Sequence, residues 1–253
     1  MNLDDVRSRL ARDAVWAAYP LADLAPAHLP HCHWFTGEDH AIALLYDAFS
    51  SPIFWAAGQP DQLRAHFTHL FAAPELILQI QPPFELPVRE HYDSVELQPM
   101  SRMALNLNWF APVAGRPSDR RLSLADVPAI EALCADGAAH GEAPGFFFPS
   151  MLEQGVFFGA WLGRALVAVA GTHIVSSEER VAAIGNVYTR RDQRRRGHAA
   201  RLTSAVSRTL LDMGIQTVAL SVRELNFGAI ALYTRLGFAS HCRFFEGHAR
   251  RHL

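Results

Sequence analysis

The stretch NVYTRRDQRRRGHAARL, residues 186–202, decides how this chain is read. It leaves an apolar run, VAAIGNVYT (181–189), that suits a buried strand. It then passes five arginines, at 190, 191, 194, 195 and 196, and turns at Gly197 into a helical pattern that carries a sixth, Arg201. Ala199, Leu202, Val206, Leu210 and Met213 recur at three- and four-residue steps, and Gly214 is placed to end the helix. The first backbone N–H groups of a helix lack intrahelical acceptors and carry partial positive charge, so they bind phosphate or pyrophosphate. Gly197 lets the backbone approach such a group, Ala199 keeps the first turn open, and the arginines reach further phosphate oxygens.

Outward from this stretch, the second half of the chain is clearly punctuated. RLSLADVPAIEALCADG (121–137) reads as a short strand and a helix, with Asp126 as N-cap, Pro128 in the first turn and Gly137 as stop. A Gly/Pro-rich stretch, 138–155, precedes strand-like runs at 156–162, 165–175 and 181–189, joined by turns short enough for antiparallel hairpins. IQTVALSV (215–222) is a further strand, Asn226 to Leu236 a helix stopped by Gly237, and FASHCRFFEGH (238–248) a last strand.

The first half repeats part of that order. A helix near 3–18 is followed by strands at 32–37, 41–49 and 52–58, a helix at 61–72 and a strand at 75–81. A short helix near 84–92 and a strand at 94–105 complete it. Three strands, helix, strand, helix, strand thus appear twice, with Pro112, Gly115 and Pro117 marking 107–118 as a linker. The expected fold is α+β or α/β in tandem, each half a mixed, mostly antiparallel sheet flanked by helices. Its boundaries fall at residues 1–106, the linker 107–118, and 119–253.

Composition narrows the chemistry. All 23 basic residues are arginine, which removes Walker-A, Schiff-base, protein-kinase and serine–lysine mechanisms. Residues 1–118 carry 7 Arg against 13 acids (−6) and 119–253 carry 16 against 12 (+4), so the net charge of −2 hides a basic second half. A basic segment in a nearly neutral chain points to one anionic ligand site. A pI of about 6.7 argues against a nucleic-acid partner. Apolar runs such as 155–163 and 165–171 are far short of the ~20 residues of a membrane helix. Charges at Asp4, Asp5, Arg7, Arg9 and Arg12 leave no signal-peptide core, and three scattered cysteines (Cys32, Cys134, Cys242) fit a reduced, cytoplasmic protein. His31 and His33 share a strand face, but no further Cys/His cluster completes a metal site. Phe146-Phe147-Phe148 reads as a lid or a core cluster.

Residues 194–199 resemble the acyl-CoA loop of the GNAT N-acetyltransferase superfamily, Arg/Gln-x-x-Gly-x-Gly/Ala after the fourth strand. NFGAIALYTRLGF (226–238) is similar to the superfamily's second signature, and the wording around VYT and RRRGHA is closest to glycine N-acyltransferase-like proteins. The resemblance covers roughly 119–253. It implies acetyl-CoA or another acyl-CoA as co-substrate, held by the backbone of Val187, Tyr188 and Thr189 and by Arg194, Arg195, Arg196, Gly197, His198 and Ala199. Asn226 would orient the pantetheine arm, and Tyr233, seven residues on, would be the general acid. The first half would be a degenerate GNAT-like copy: GQPDQLRAH (58–66) has no matching glycine, so it is expected to bind no CoA and to shape the acceptor cleft.

The implied reaction is acyl transfer, usually acetyl, to a small amine or amino acid by direct attack on the thioester. The base stays open among Glu142, His140 and His173, and Arg223 is a candidate partner for an acceptor carboxylate. A non-catalytic acyl-CoA sensor is the alternative, and monomer and homodimer are both compatible with the sequence.

Overall fold

A computed structural model of the chain describes residues 2–139, 141, 142 and 147–251. The elements, in chain order, are α1 (Leu3–Leu10), α2 (Ala18–Ala22), β1 (Cys32–Thr36), β2 (Ile42–Tyr46), β3 (Ile53–Ala57), α3 (Phe67–Leu70), β4 (Glu75–Ile80), α4 (Glu85–His91) and β5 (Ser94–Leu105). They continue with β6 (Asp119–Arg121), α5 (Val127–Ala138), α6 (Ser150–Gln154), β7 (Phe158–Leu162), β8 (Ala165–Ser176) and β9 (Val181–Thr189). The last are α7 (His198–Asp212), β10 (Thr217–Arg223), α8 (Phe227–Arg235) and β11 (Phe238–Arg250). This is a mixed α/β fold whose mixed sheet is flanked by helices.

Two helices do not run as their periodicity predicts. The run over 3–18 breaks after Leu10, where Asp13 turns the chain by accepting the Trp16 N–H on Oδ1 at 3.0 Å. The run over 61–72 forms a 3-10 helix at Pro60–His66 and only one α turn, α3. Asp126 does not cap α5 with its side chain. Its carboxylate turns back to accept the Ser123 N–H at 2.9 Å and to hold Arg120 at 2.6 and 3.0 Å.

The chain forms two compact units. One holds the residues up to Arg102, 222–225 and those from His241 on; the other holds Met103–Ser221 and Asn226–Ser240. The C-terminal residues that follow the second half in sequence therefore pack with the first. Phe245–Arg250 pair antiparallel with Ile80–Glu75 of β4, and Phe245 and Ala249 join the core of Phe54, Phe71, Leu78 and Phe84. Residues 107–118, which read as a linker, lie within the second unit, and the Val113 N–H reaches Ser204 Oγ at 3.0 Å.

Strand order in the first unit is β1-β2-β3-β4-β11-β5, and in the second β10-β9-β8-β7-β6. Each unit contains an antiparallel pair followed by a parallel one: β2–β3 then β3–β4, and β8–β9 then β9–β10. The connections inside the parallel pairs differ. The first unit uses the 3-10 helix and α3, whereas the second uses α7, a 15-residue helix. In the second unit the core lies between α5, α6 and the sheet, where Ile130, Leu133 and Leu152 meet Phe157, Val169 and Tyr188.

Candidate functional site

Strand β9 is the base of the site. Its registered pairing with β10 runs from Val181↔Thr217 to Ile184↔Leu220, and β9 continues five residues beyond that. On the other side β8 advances two residues from Val169 to Gly171 while β9 uses three from Tyr188 to Gly185, which makes a β-bulge at Asn186–Val187. Asn186 stands at φ +51°, in the left-handed region that asparagine tolerates better than most residues. A second bulge, at His173 in β8, carries the imidazole over Gly185. A Cβ on Gly185 would come within 2.1 Å of that ring, so the glycine is what lets the imidazole lie against β9.

Past Thr189 the chain makes a 3-10 turn at Arg191–Gln193 and reaches α7 through two left-handed residues, Arg195 (φ +61°) and Gly197 (φ +78°). Such folding brings neighbouring N–H groups together in a concavity that suits an anion. Gly197 is the N-cap of α7 and no side chain caps the helix, so its first N–H groups remain open to a ligand. Conformation, not space, requires the glycine: a Cβ there would meet only Arg201 Nη1, at 3.6 Å.

The arginines of the segment have different tasks. Arg190 binds Asp192 through two hydrogen bonds, 2.7 and 2.9 Å, which with the Gln193 amide hold the Asp192 carboxyl down to about 2. Arg194 folds back over the Tyr188 ring, donates to the Thr189 carbonyl at 3.1 Å and pairs with Glu142, which Arg191 also approaches at 3.8 Å. Arg201 is buried against Asp119, with bonds of 2.7 and 3.1 Å. It also donates to the Arg196 carbonyl at 3.3 Å and to His198 Nδ1 at 3.1 Å. Burial, then the charge of Arg201, pushes the His198 pKa down, so the ring is neutral at pH 7 with Nε2–H as its remaining donor. Arg195 and Arg196 are exposed and make no side-chain ion pair or hydrogen bond among the described residues.

On α8, Asn226 is the N-cap and its Oδ1 accepts the Ala229 N–H at 3.1 Å. Tyr233 is buried, its ring edge-on to Phe238 at 6.0 Å, and burial pushes its hydroxyl up to about 12.

Residues 129–238 match the Acetyltransferase (GNAT) family. The match over this segment supports a transferase enzyme, with acyl-CoA-dependent N-acyl transfer as its general chemistry. No curated protein matches the chain. Among solved structures it is similar in fold to a Drosophila protein (17% identity, 95% of this chain and 88% of that one, TM-score 0.65). It is also similar to a GCN5-related N-acetyltransferase from Kribbella flavida (18% identity, 89% and 94%, TM-score 0.60). An acetyltransferase of the GNAT family from Colwellia psychrerythraea shares the fold over 99% of this chain and 98% of its own, at 13% identity and TM-score 0.57.

Within the matched segment, the structure brings Val187, Tyr188, Thr189 and residues 194–199 together as one continuous strand end, loop and helix start. The Tyr188 side chain is buried and its hydroxyl donates to Asp136 at 2.9 Å. Tyr233 and Asn226 lie in the same compact unit as the loop; Arg223 lies in the other, near Glu246. Of the three base candidates, Glu142 is ion-paired with the loop, His173 lies against Gly185, and His140 falls outside the described residues, as does Phe146. Sequence reasoning missed Asp119, which anchors the loop through Arg201 from 82 positions away. It also missed Asn186, whose signal was a lone polar residue inside an apolar strand. His31 and His33 both hold Asp47, at 3.1 and 2.7 Å. Among the described residues no group of His, Cys, Asp and Glu suits a metal, and no helix is long and apolar enough to cross a membrane.

Proposed function

We propose that this enzyme transfers an acyl group, acetyl in the first instance, from acyl-CoA to a small amine or amino acid, and that the CoA site lies wholly in the second half. The observation that carries this reading is the uncapped α7 N-terminus, framed by left-handed Arg195 and Gly197 and by the two arginines with no side-chain partner among the described residues. The pyrophosphate sits on the N–H groups of His198 and Ala199 with Arg195 and Arg196 beside it. The pantetheine arm runs along β9 at Val187–Thr189, past the end of its pairing with β10, with Asn226 beside the arm and Arg194 serving to shape the loop.

The chemistry follows from this placement. The amine lone pair attacks the thioester carbonyl carbon, the C–N bond forms and the C–S bond breaks as the tetrahedral intermediate collapses. The proton lost by the nitrogen goes to the His173 imidazole, which lies against β9, and from there to solvent. Tyr233 is the donor to the leaving sulfur. With its hydroxyl at about 12, above the ~8.5 of an alkyl thiol, it stabilises the thiolate by hydrogen bonding rather than by complete proton transfer.

The first half is the degenerate copy of a tandem pair. It keeps the antiparallel-then-parallel strand pattern, but its crossover begins with Pro60 in a 3-10 helix, and Gln62 Oε1 already accepts the Gln59 N–H at 2.8 Å. That start offers no open long-helix N-terminus to a phosphate. The resemblance to glycine N-acyltransferase-like proteins supports an amino acid or other small amine as acceptor. The test is thiol release from acetyl-CoA and longer acyl-CoAs across amino acids, polyamines and aminoglycosides, with CoA binding measured by calorimetry. Binding without release for every amine would leave an acyl-CoA sensor; no binding would remove the CoA site.

A further inference from the structure

We infer that Arg116, Arg196 and the imidazole of His198 form a second anion subsite beside the pyrophosphate, and that it selects CoA by the phosphate on its ribose 3′ oxygen. This rests on the acyl-transfer reading above. Arg116 belongs to the stretch 107–118 that reads as a linker, yet the fold fastens that stretch to α7 at two points. The Val113 N–H reaches Ser204 Oγ at 3.0 Å, and the Arg116 N–H reaches Asp119 Oδ2 at 2.8 Å. Asp119 in turn holds Arg201 of α7 at 2.7 and 3.1 Å. Arg201 carries the other two members of the group, donating to the Arg196 carbonyl at 3.3 Å and to His198 Nδ1 at 3.1 Å. One buried ion pair thus ties the backbone of Arg116, the backbone of Arg196 and the ring of His198 into a single cluster.

The groups that this scaffold leaves over are donors. Asp119 stands three residues from Arg116 but accepts only its backbone N–H, because both carboxylate oxygens go to Arg201. The Arg116 guanidinium is exposed and, like that of Arg196, has no side-chain partner among the described residues. Arg120 and Arg190 differ in this respect, since Asp126 and Asp192 hold them. Burial and Arg201 lower the His198 pKa most, and the charges of Arg116 and Arg196 add to that, which places both guanidinia near the ring. With Nδ1 accepting from Arg201, the imidazole presents Nε2–H and no charge of its own. Two like charges in one place repel, and an anion between them removes that cost.

Two guanidinia and an N–H suit a phosphomonoester, which near pH 7 carries about −1.5 to −2 charges and three acceptor oxygens. CoA has a single phosphomonoester, on the ribose 3′ oxygen. Its pyrophosphate hangs from the 5′ carbon of the same ribose, so the two anions stand one sugar apart. His198 suits that spacing because it serves both: its backbone N–H meets the pyrophosphate and its ring the 3′-phosphate.

The experiment measures affinity by calorimetry, at one ionic strength, for acetyl-CoA, 3′-dephospho-acetyl-CoA, adenosine 3′,5′-bisphosphate and inorganic phosphate. It uses wild type, Arg116→Gln, Arg116→Lys and, as a control at the pyrophosphate, Arg195→Gln. Wild type should bind acetyl-CoA about 10-fold or more tighter than the dephospho form. Arg116→Gln should bind acetyl-CoA about 10-fold more weakly and the dephospho form less than about twofold more weakly, so most of the margin disappears. Arg116→Lys, which keeps the charge without the planar fork, should fall between. Arg195→Gln should weaken the two thioesters alike, and the bisphosphate should displace acetyl-CoA from wild type far better than inorganic phosphate does. A wild type that does not distinguish the two thioesters would overturn the inference while leaving acyl transfer intact. So would an Arg116→Gln protein that binds acetyl-CoA like wild type, or one that weakens both thioesters equally, the mark of charge acting at a distance. Inorganic phosphate competing as well as the bisphosphate would overturn it too, as the mark of a site indifferent to the nucleotide. A wild-type protein that binds neither thioester would overturn the reading beneath it as well.

Discussion

The buried pair between Asp119 and Arg201 gives the sharpest test of how the loop is held. Both side chains are 5% exposed, and Asp119 also accepts the Arg116 N–H at 2.8 Å. Replacing Asp119 with asparagine keeps the shape and one acceptor but leaves a buried guanidinium without its countercharge. Breaking such a pair costs about 3–5 kcal/mol; the lower figure applies because the Arg196 carbonyl and His198 still accept from Arg201. A loss of about 3 kcal/mol lowers the melting temperature of a chain this size by roughly 6–12 °C. Burial tends to raise the Asp119 carboxyl, but the hydrogen bonds from Arg201 and Arg116 and the charge of Arg201 outweigh it, so its pKa is depressed. A depressed carboxylate contributes stability above its unfolded pKa of ~3.9 and loses it as pH falls through the folded value. The gap between wild type and Asp119→Asn should hold steady from pH 8 to 5 and close below that. The double variant Asp119→Leu/Arg201→Met, an apolar replacement of the pair, should recover much of the stability. It should not recover ligand binding, because the bonds from Arg201 to the Arg196 carbonyl and to His198 are gone. At about 1 kcal/mol each, these amount to roughly a 30-fold weaker CoA Kd. Urea unfolding across pH and CoA calorimetry on the three proteins decide it. A double variant that binds CoA like wild type, or a single variant of unchanged stability, would refute the reasoning.

The effect of neutralising charge along the same segment is also measurable. Arg195→Gln/Arg196→Gln should weaken CoA binding about 10-fold or more and flatten its salt dependence, whereas Arg190→Gln, whose guanidinium is held by Asp192, should change it little. Tyr233→Phe should lower kcat about 100-fold or less and leave CoA affinity unchanged, as read by steady-state kinetics and calorimetry. With its hydroxyl held up at about 12, no loss of activity from Tyr233 ionisation should appear below pH 10. Gly185→Ala must displace the His173 imidazole from β9, so it should depress kcat/KM and shift its acidic pH limb while the CoA Kd holds.

What was legible in the sequence, and what was not, follows the range of the interactions. The strand, the loop and α7 could be read because a β-branched run, a glycine and a 3.6-residue period are local signals, and each has one physical consequence. The duty of each arginine could not be read, since it depends on acids distant in sequence: Glu142 takes Arg194, and Asp119 takes Arg201. Arg190, by contrast, has its partner within two residues, at Asp192. The destination of β11 was hidden for a similar reason. Its Phe244, Phe245 and Ala249 declare that they are buried, but nothing local says which core receives them.

The two halves also show why a shared strand pattern is a poor guide to chemistry. Both carry a parallel strand pair closed by a crossover, yet the first spends its helix start on its own side chains. Gln62 closes the turn on the Gln59 N–H, and Pro60 supplies no N–H at all. In the second half the same place in the pattern holds Gly197, left-handed, with no side-chain cap among the described residues for the N–H groups that follow. The proposed binding site thus lies where the backbone donors are not taken up by a capping side chain. Building such a site in the first half would take more than a glycine at position 60. The crossover would also have to become a helix long enough to present several aligned N–H groups, and a 3-10 segment with a four-residue α turn does not.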